Sequence, residues 1–449
     1  MRTFLYSALA VIVLLLPACD QLVEDVDDPI DTAADEELNT ADQADFLISG
    51  VQGRFASTHD RTGLFASMLS DQFIFGGSGA TFPTFQQLDA ADIVLDNNSV
   101  DGSLIQLGEY RFLADDLLRR IDIIDGLSPE EGGWPEGEAD PERMRALFNA
   151  EFHSGLARYF WATFFGISEQ EGGGVISELE SPESPDRGDF IPSDEMYAKA
   201  IDRLENNALP LAGDYLDGGD SEYDSRVIHT ILARIHLFQG NLDDAEQYAE
   251  NGLQEGDAPF QALFLDRTGG GSNQWFDAGG PGRVQTVADT RFFEGEDYLD
   301  GNLEAPESVR TPLVFNTTFN YFLTGEEIDG YRQGLYNERG APIDFATWQE
   351  NELILAEIEL RNGTGDPAQR VNDVRASHGL DALADVDLDV LFTERDKELF
   401  TQGQRLIDQR RITEEGIDVD EETHGWHRAP DAWWYLPITL GERNDNPNF

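Results

Sequence analysis

Few residues in this chain stand at spacings that could do chemistry. His424 and His427 flank Gly425-Trp426 and could offer two imidazoles to a metal ion. A zinc shell needs a third ligand, and none stands near this glycine-containing pair. Asp385, Asp387 and Asp389 alternate like the first ligands of a calcium loop. Such a loop turns on glycine at its sixth position and ends on a bidentate glutamate; here those positions hold Val390 and Asp396. No Gly-x-Ser-x-Gly elbow, phosphate loop or dinucleotide fingerprint occurs, and the glycine runs at 76–79 and 269–272 lack a strand–turn–helix context. With 88 acidic side chains, paired carboxylates are everywhere, so no glycosidase dyad stands out. The expectation is a protein with no catalytic residue, no metal and no cofactor.

Aromatic residues in loop-like sequence carry a different chemistry. Sugar rings have apolar C–H faces that stack on aromatic planes, while amides and acids bind their hydroxyls. Trp275, Tyr298, Tyr321 and Phe75 lie in the segments 71–100 and 270–322, beside Asp71 and Asn273. These are the expected ligand-binding residues, with Trp275 as the main platform. Buried packing is the competing role for each, since aromatics are usually mostly buried. Trp161, Phe164 and Trp348 sit at helical spacing and read as core.

Charge narrows the partners. The chain has 30 basic and 88 acidic side chains, a formal charge of −58. A nucleic-acid partner is excluded, because phosphate neutralisation needs a dense basic surface. An anionic polymer is disfavoured as ligand, so a neutral oligosaccharide is expected, with an extended peptide as the alternative. Only Lys199 and Lys397 are lysine. An acid-rich, lysine-poor surface resembles those of proteins adapted to high salt, where a Debye length of about 3 Å at ~1 M screens self-repulsion.

The N-terminus reads as a processing segment. Arg2 precedes an apolar run over 4–16, too short for a comfortable membrane span, and Leu16-Pro17-Ala18-Cys19 follows. The pattern resembles a bacterial lipoprotein signal over 1–18, with Cys19 as the lipidated first residue. A cleaved secretory signal with an incidental cysteine is the alternative. Residues 19–37 are acidic and poor in large apolar side chains, and read as a tether. Acidic residues after such a cysteine also resemble surface-export signals of Bacteroidota lipoproteins.

The body, 38–449, is expected to be one mainly α domain. Helical periodicity runs over 41–58, 104–124, 142–165, 224–239, 242–254, 344–361, 366–378 and 387–411. The turn at Gly240-Asn241 and the small residues Ala233, Ala245 and Ala249 resemble a tetratricopeptide hairpin. The expected scaffold is therefore a divergent tetratricopeptide-like array over 38–258 and 343–411. A loop-rich insertion with few short strands occupies 259–342, and a Trp- and Pro-rich wrap occupies 412–449.

The third helical block carries a family resemblance. Residues 348–362 and 368–379, then Glu394-Arg395 through Glu398-Leu399, Gly403, Arg405 and Asp408, are similar to the closing helices of the SusD/RagB family. Tyr435-Leu436-Pro437-Ile438 and Asn446-Pro447-Asn448 fit that family's final segment. The resemblance implies an outer-membrane surface lipoprotein that captures a nutrient, typically a glycan, for a SusC-like TonB-dependent transporter. A structural or adhesion lipoprotein is the rival class. Taken from the residues alone, Arg395, Glu398, Arg405 and Asp408 would line one helical stripe and fix packing geometry. The lipid reading is directly testable: Cys19→Ser should release the protein from the membrane fraction and abolish lipid labelling, and retention of both would refute it.

Overall fold

The computed structural model describes residues 35–76, 83–135, 141–176, 188–266, 271–280, 286–288, 306–426, 428–429 and 431–449. Cys19, Tyr298, His427, the segment 1–18 and most of the tether lie outside them. Helices dominate. Three long ones begin the scaffold: α1 (Ala44–Leu69), α3 (Asn98–Asp125) and α4 (Pro141–Phe164), with the short strand β1 (Phe73–Phe75) and helix α2 (Pro83–Asp89) between the first two. Asn97 starts α3 by accepting the N–H groups of Ser99 and Val100, two of the donors that a helix N-terminus leaves unpaired. α4 is buried without interruption from Phe148 to Phe164, so it runs through the interior. Around it Phe55 packs on Phe260 at 5.3 Å and on Phe345 at 5.2 Å. Trp161, Phe164 and Trp348 are buried, as their helical spacing predicts. Phe46 is not; at 64% exposure it lies outside the core.

After the short strands β2 (Phe165–Gly166), β3 (Gly173–Val175) and β4 (Phe190–Pro192), helix α5 (Ser193–Ile201) passes into a π-helical stretch, Asp202–Ala208. The tetratricopeptide-like hairpin is α6 (Tyr223–Phe238) with α7 (Leu242–Ala249), joined at Gly240 with φ +71°. Ala233, Ala245 and Ala249 are buried between them and against Ile354, Leu355 and Ile358 of α9. Helix α7 ends five residues before the periodicity suggests. Gly252 passes so close to Asn351 and Thr230 that a Cβ would lie 2.5 Å from Asn351 Oδ1, and the Leu253 N–H donates to Thr230 Oγ1 rather than along a helix.

The insertion contains β5 (Phe260–Ala262), the short helix α8 (Gln274–Gly279), β6 (Thr286–Ala288), β7 (Leu313–Asn320) and β8 (Glu327–Gln333). The sheet order β1-β6-β8-β7 is antiparallel throughout, so the insertion is stitched to the segment that follows α1. β9 (Ile343–Ala346) pairs with β5 and leads into α9 (Trp348–Asn362) and α10 (Pro367–Ser377).

The stretch 387–411 is two helices, not one: α11 (Leu388–Glu398) and α12 (Gln404–Glu415). Thr401 and Gly403 take φ of +72° and +77°, which no continuing helix allows. The break is a packing requirement. A Cβ on Gly403 would lie 3.1 Å from the Gly63 Cα, and one on Gly63 would lie 3.1 Å from the Thr401 carbonyl oxygen. The single-stripe expectation for Arg395, Glu398, Arg405 and Asp408 is therefore corrected. Arg395 pairs with Asp408 across the break at 3.1 Å, while Arg405 pairs with Asp71 at 2.9 Å. After the one-turn helix α13 (Glu421–His424), the tail wraps: β10 (Leu436–Pro437) runs parallel to β2, and α14 (Leu440–Asp445) closes the chain.

Burial separates the charges. Among the described residues every arginine is buried or half-buried, and Lys199 is the only exposed base. The solvent-facing surface is thus more anionic than the composition; outer pairs such as Arg54–Glu109 and Arg145–Asp45 offset part of its repulsion, and salt screens the rest. The melting temperature should rise by about 5 °C or more between ~0.1 and ~2 M NaCl. A flat or falling profile in that salt series would contradict this account.

Candidate ligand face

The two segments expected to form a site do meet, and Asp89 joins them. This fully buried residue ends α2. Its Oδ2 accepts the Phe75 N–H at 2.8 Å and its Oδ1 accepts the Tyr321 hydroxyl at 2.8 Å. Arg428 donates to the carbonyls of Asp89 and Ser70 and lies 3.8 Å from the same carboxylate. A buried carboxylate with these partners ties β1, α2, the tip of the β7–β8 hairpin and the C-terminal wrap together.

Four of the six expected binding residues are interior. Trp275 is 0% exposed, packed on Phe73 at 4.7 Å, and cannot offer a stacking face. Phe75 is 3% exposed. Asn273 caps α8, accepting from the Phe276 N–H and donating to the Ala341 carbonyl. Asp71 is buried and accepts from Arg405 and Gln409, so its oxygens face inward. The sheet β1-β6-β8-β7 accounts for the two rings, since Trp275 packs on Phe73 of β1 and Phe75 lies within that strand, whereas Asp71 is taken inward by α12 and Asn273 by its capping of α8. Tyr321 is half-buried at the hairpin tip, and Tyr298 lies outside the described residues. Asn97, beside them in sequence, is also structural, as the cap of α3. In the calcium-like run, Asp387 caps α11 by accepting the Val390 N–H. Among the described residues no group of three His, Cys, Asp or Glu is placed to hold a metal ion.

The rings that do reach solvent are others. Phe322 is 40% and Phe315 52% exposed, with the aliphatic Leu323 at 47% beside Phe322. The hairpin tip presents Phe322 and Leu323 through a tight turn, with Phe315 further back on β7: the Tyr321 N–H donates to the Glu326 carbonyl at 2.8 Å and the Gly325 N–H to the Tyr321 carbonyl at 2.7 Å. Gly325 has φ +74°, a conformation that favours glycine. Phe322 meets Tyr321 edge-on at 5.4 Å and Phe75 at 6.2 Å, while Phe315 meets Tyr331 at 5.9 Å. Asn320, Glu326, Glu327 and Asp329 are exposed along the same hairpin. Aromatic faces bordered by carboxylate and amide acceptors suit a hydroxylated ring. A signal for Phe322 was present in the sequence: it follows Tyr321 and directly precedes the turn Leu323-Thr324-Gly325. A further half-buried pair, Trp426 and Trp434, stands 5.6 Å apart in the C-terminal wrap.

No family model and no curated protein sequence matches the chain. Solved structures do. The surface glycan-binding protein A of Bacteroides uniformis is similar over 91% of this chain and 99% of its own, with a TM-score of 0.62 at 16% identity. A SusD superfamily protein of Bacteroides thetaiotaomicron gives a TM-score of 0.66 at 17% identity, covering 91% of this chain and 98% of its own. A laminarin-binding SusD-like protein gives 0.64 at 16% identity, covering 91% and 99%. The chain has the SusD-superfamily fold, a mainly α, tetratricopeptide-like scaffold with few short strands.

Asp60 controls how α8 is held beneath this face. Its Oδ2 accepts the Gln274 N–H at 2.8 Å, and its Oδ1 has no partner. Burial pushes its carboxyl up to about 8, outweighing the Gln274 N–H and the Arg61 cation. The folded state therefore holds the proton more tightly than the unfolded chain, so stability falls as pH rises from about 4 towards 8. Asp60→Asn cannot lose that proton. Urea melts should show the variant gaining on the wild type steadily across this window, and a difference that stays constant with pH would show that Asp60 does not titrate there.

Proposed function

We propose that the protein is a surface lipoprotein of the cell outer membrane that captures a neutral oligosaccharide without transforming it and passes it to a SusC-like TonB-dependent transporter. The observation that carries this reading is the fold, matched over 91% of the chain to proteins described as surface glycan-binding and laminarin-binding. The expected lipid at Cys19 supplies the anchor, and residues 38–449 act as one domain. The hairpin face supplies the contact, with Tyr321 and Phe322 replacing Trp275 as the platform. Tyr321 is held by Asp89 and is thereby pre-oriented, which lowers the entropy lost on binding. Ring stacking recognises an uncharged sugar face and needs no basic residue, which suits a surface where Lys199 is the only exposed base among the described residues.

A glycan and peptide binding screen in molar salt tests this reading. Neutral glycans should bind, and Phe322→Ala should weaken them roughly five-fold, about 1 kcal/mol for one lost aromatic contact. Peptide binding without glycan binding would replace the ligand class. Turnover of a bound glycan would overturn the non-catalytic reading. Failure of any outer-membrane barrel to co-purify under high salt would count against the transporter.

A further inference from the structure

The four-stranded sheet ends on an open edge. β7 is the last strand in the order β1-β6-β8-β7, and among the described residues no strand lies on its far side. Phe315, Asn316, Thr317, Thr318 and Asn320 of β7 are exposed. A row of free N–H and C=O groups along such an edge is a template for another strand, and natural edges are guarded by lysine, other charges or proline. The run Leu313-Val314-Phe315-Asn316-Thr317-Thr318-Phe319-Asn320 contains none of these, in a chain of formal charge −58.

Pairing with β8 fixes which backbone groups face outward. The Gly334 N–H donates to the Pro312 carbonyl and the Tyr321 N–H to the Glu326 carbonyl, so both are hydrogen-bonded pairs of the ladder. In an antiparallel ladder such pairs alternate with non-bonded ones. Counted through the register from both ends, Val314, Thr317 and Phe319 turn to β8, while Leu313, Phe315, Thr318 and Asn320 turn away. The register shift between Phe315 and Thr317 is a bulge, with Asn316 as the extra residue. Among the described residues no backbone group meets the outward set, and the Thr318 carbonyl takes only the neighbouring Thr317 hydroxyl, at 3.4 Å. The set is symmetric: a half-turn about an axis between Asn316 and Thr317 exchanges Leu313 with Asn320 and Phe315 with Thr318.

We propose that β7 pairs antiparallel with β7 of a second copy of this chain, across a two-fold axis at the bulge, so that the two sheets become one. Leu313 then faces Asn320 of the second copy, and Phe315 faces its Thr318. The spacing selects this occupant. The bulge sets the outward residues Phe315 and Thr318 three positions apart, where a regular strand has two. A second copy brings the same irregularity to the same place and keeps register on both sides of it, whereas a regular peptide slips halfway along. Charge agrees. Two strongly anionic copies meet here along a strand that sets no carboxylate opposite another. Asp329 stands one strand back, where the Thr318 hydroxyl donates to it at 2.7 Å. Strands of eight residues bury about 1,000 Å² in total, the low end for a specific interface, so the dimer is reversible. The proposal goes beyond the glycan reading, because Tyr321 and Phe322 lie past the ends of the paired strands.

Sedimentation equilibrium of the full chain, in density-matched detergent and ~2 M NaCl, should show a dimer with a Kd of about 50 µM. At ~0.2 M NaCl, where repulsion between the copies is less screened, it should weaken roughly ten-fold or more. Thr318→Pro removes an outward N–H without touching the bonds to β8, and should weaken the dimer by roughly the same factor. Asn320→Pro should act alike from the other end of the strand, which guards against a local defect in the first variant. Phe322→Ala should leave the dimer unchanged. A wild type that stays monomeric at ~200 µM in high salt, a dimer indifferent to both proline variants, or a dimer that weakens as salt rises would each overturn the proposal. With the wild type monomeric, capture of an octalysine peptide that Thr318→Pro abolishes would assign the edge to a basic peptide instead. Failure of the glycan screen leaves this dimer standing, so the two readings fail separately.

Discussion

Arg405 and Asp71 are 334 positions apart in the chain and meet in the core through N–H···O contacts of 2.9 and 3.1 Å. An arginine cannot lose its charge, so once buried it must be met by acceptors wherever in the chain they lie. The same demand recurs at Arg395 with Asp408, Arg411 with Glu357, Arg234 with Glu350 and Arg310 with Glu394. Removing one partner would strand a buried charge, a loss of about 3–5 kcal/mol. These pairs add less to net stability than to geometry. Asp71 precedes β1, so its anchorage on α12 sets where the first strand lies. The strand sets β6 and β8, and these place the hairpin that carries Tyr321.

Close approach of backbone works alongside the ion pairs. Gly63 in α1 and Gly403 before α12 allow the turn between α11 and α12 to rest against the first helix. Thr401 accepts a left-handed conformation there, and the Gln72 side-chain oxygen accepts its N–H at 3.1 Å. Any Cβ at Gly63 or Gly403 would press on this joint. The turn is therefore an irregular element held by several interactions, and its conformation follows from what surrounds it rather than from local preference.

The charge distribution links this interior to the surface. With many of the arginines turned inward to carboxylates and carbonyls, the exposed side is left mainly to aspartate and glutamate. A partner or ligand then meets a field that favours neutral or cationic chemistry. The hairpin face conforms to this, with rings and acceptors that suit a neutral sugar.

Periodicity alone was enough to locate most helices. Ala233, Ala245 and Ala249 marked the tight hairpin, and Trp161, Phe164 and Trp348 marked the core, because local spacing dictates which side chains share a helix face. The spacing of Glu394, Arg395, Gly403, Arg405 and Asp408 carried the fold resemblance. Local spacing could not say which aromatics are covered. Trp275 and Tyr321 sit in equally loop-like sequence, yet one is sealed beneath a sheet and the other reaches the surface. That difference depends on strand pairing between residues more than two hundred positions apart, as at Phe73 with Ala288. Nor could it show that Arg405 turns to Asp71 instead of along its own helix. Burial and ion pairing over such separations are settled only when the whole chain has closed, because both depend on which distant segment occupies the adjoining space.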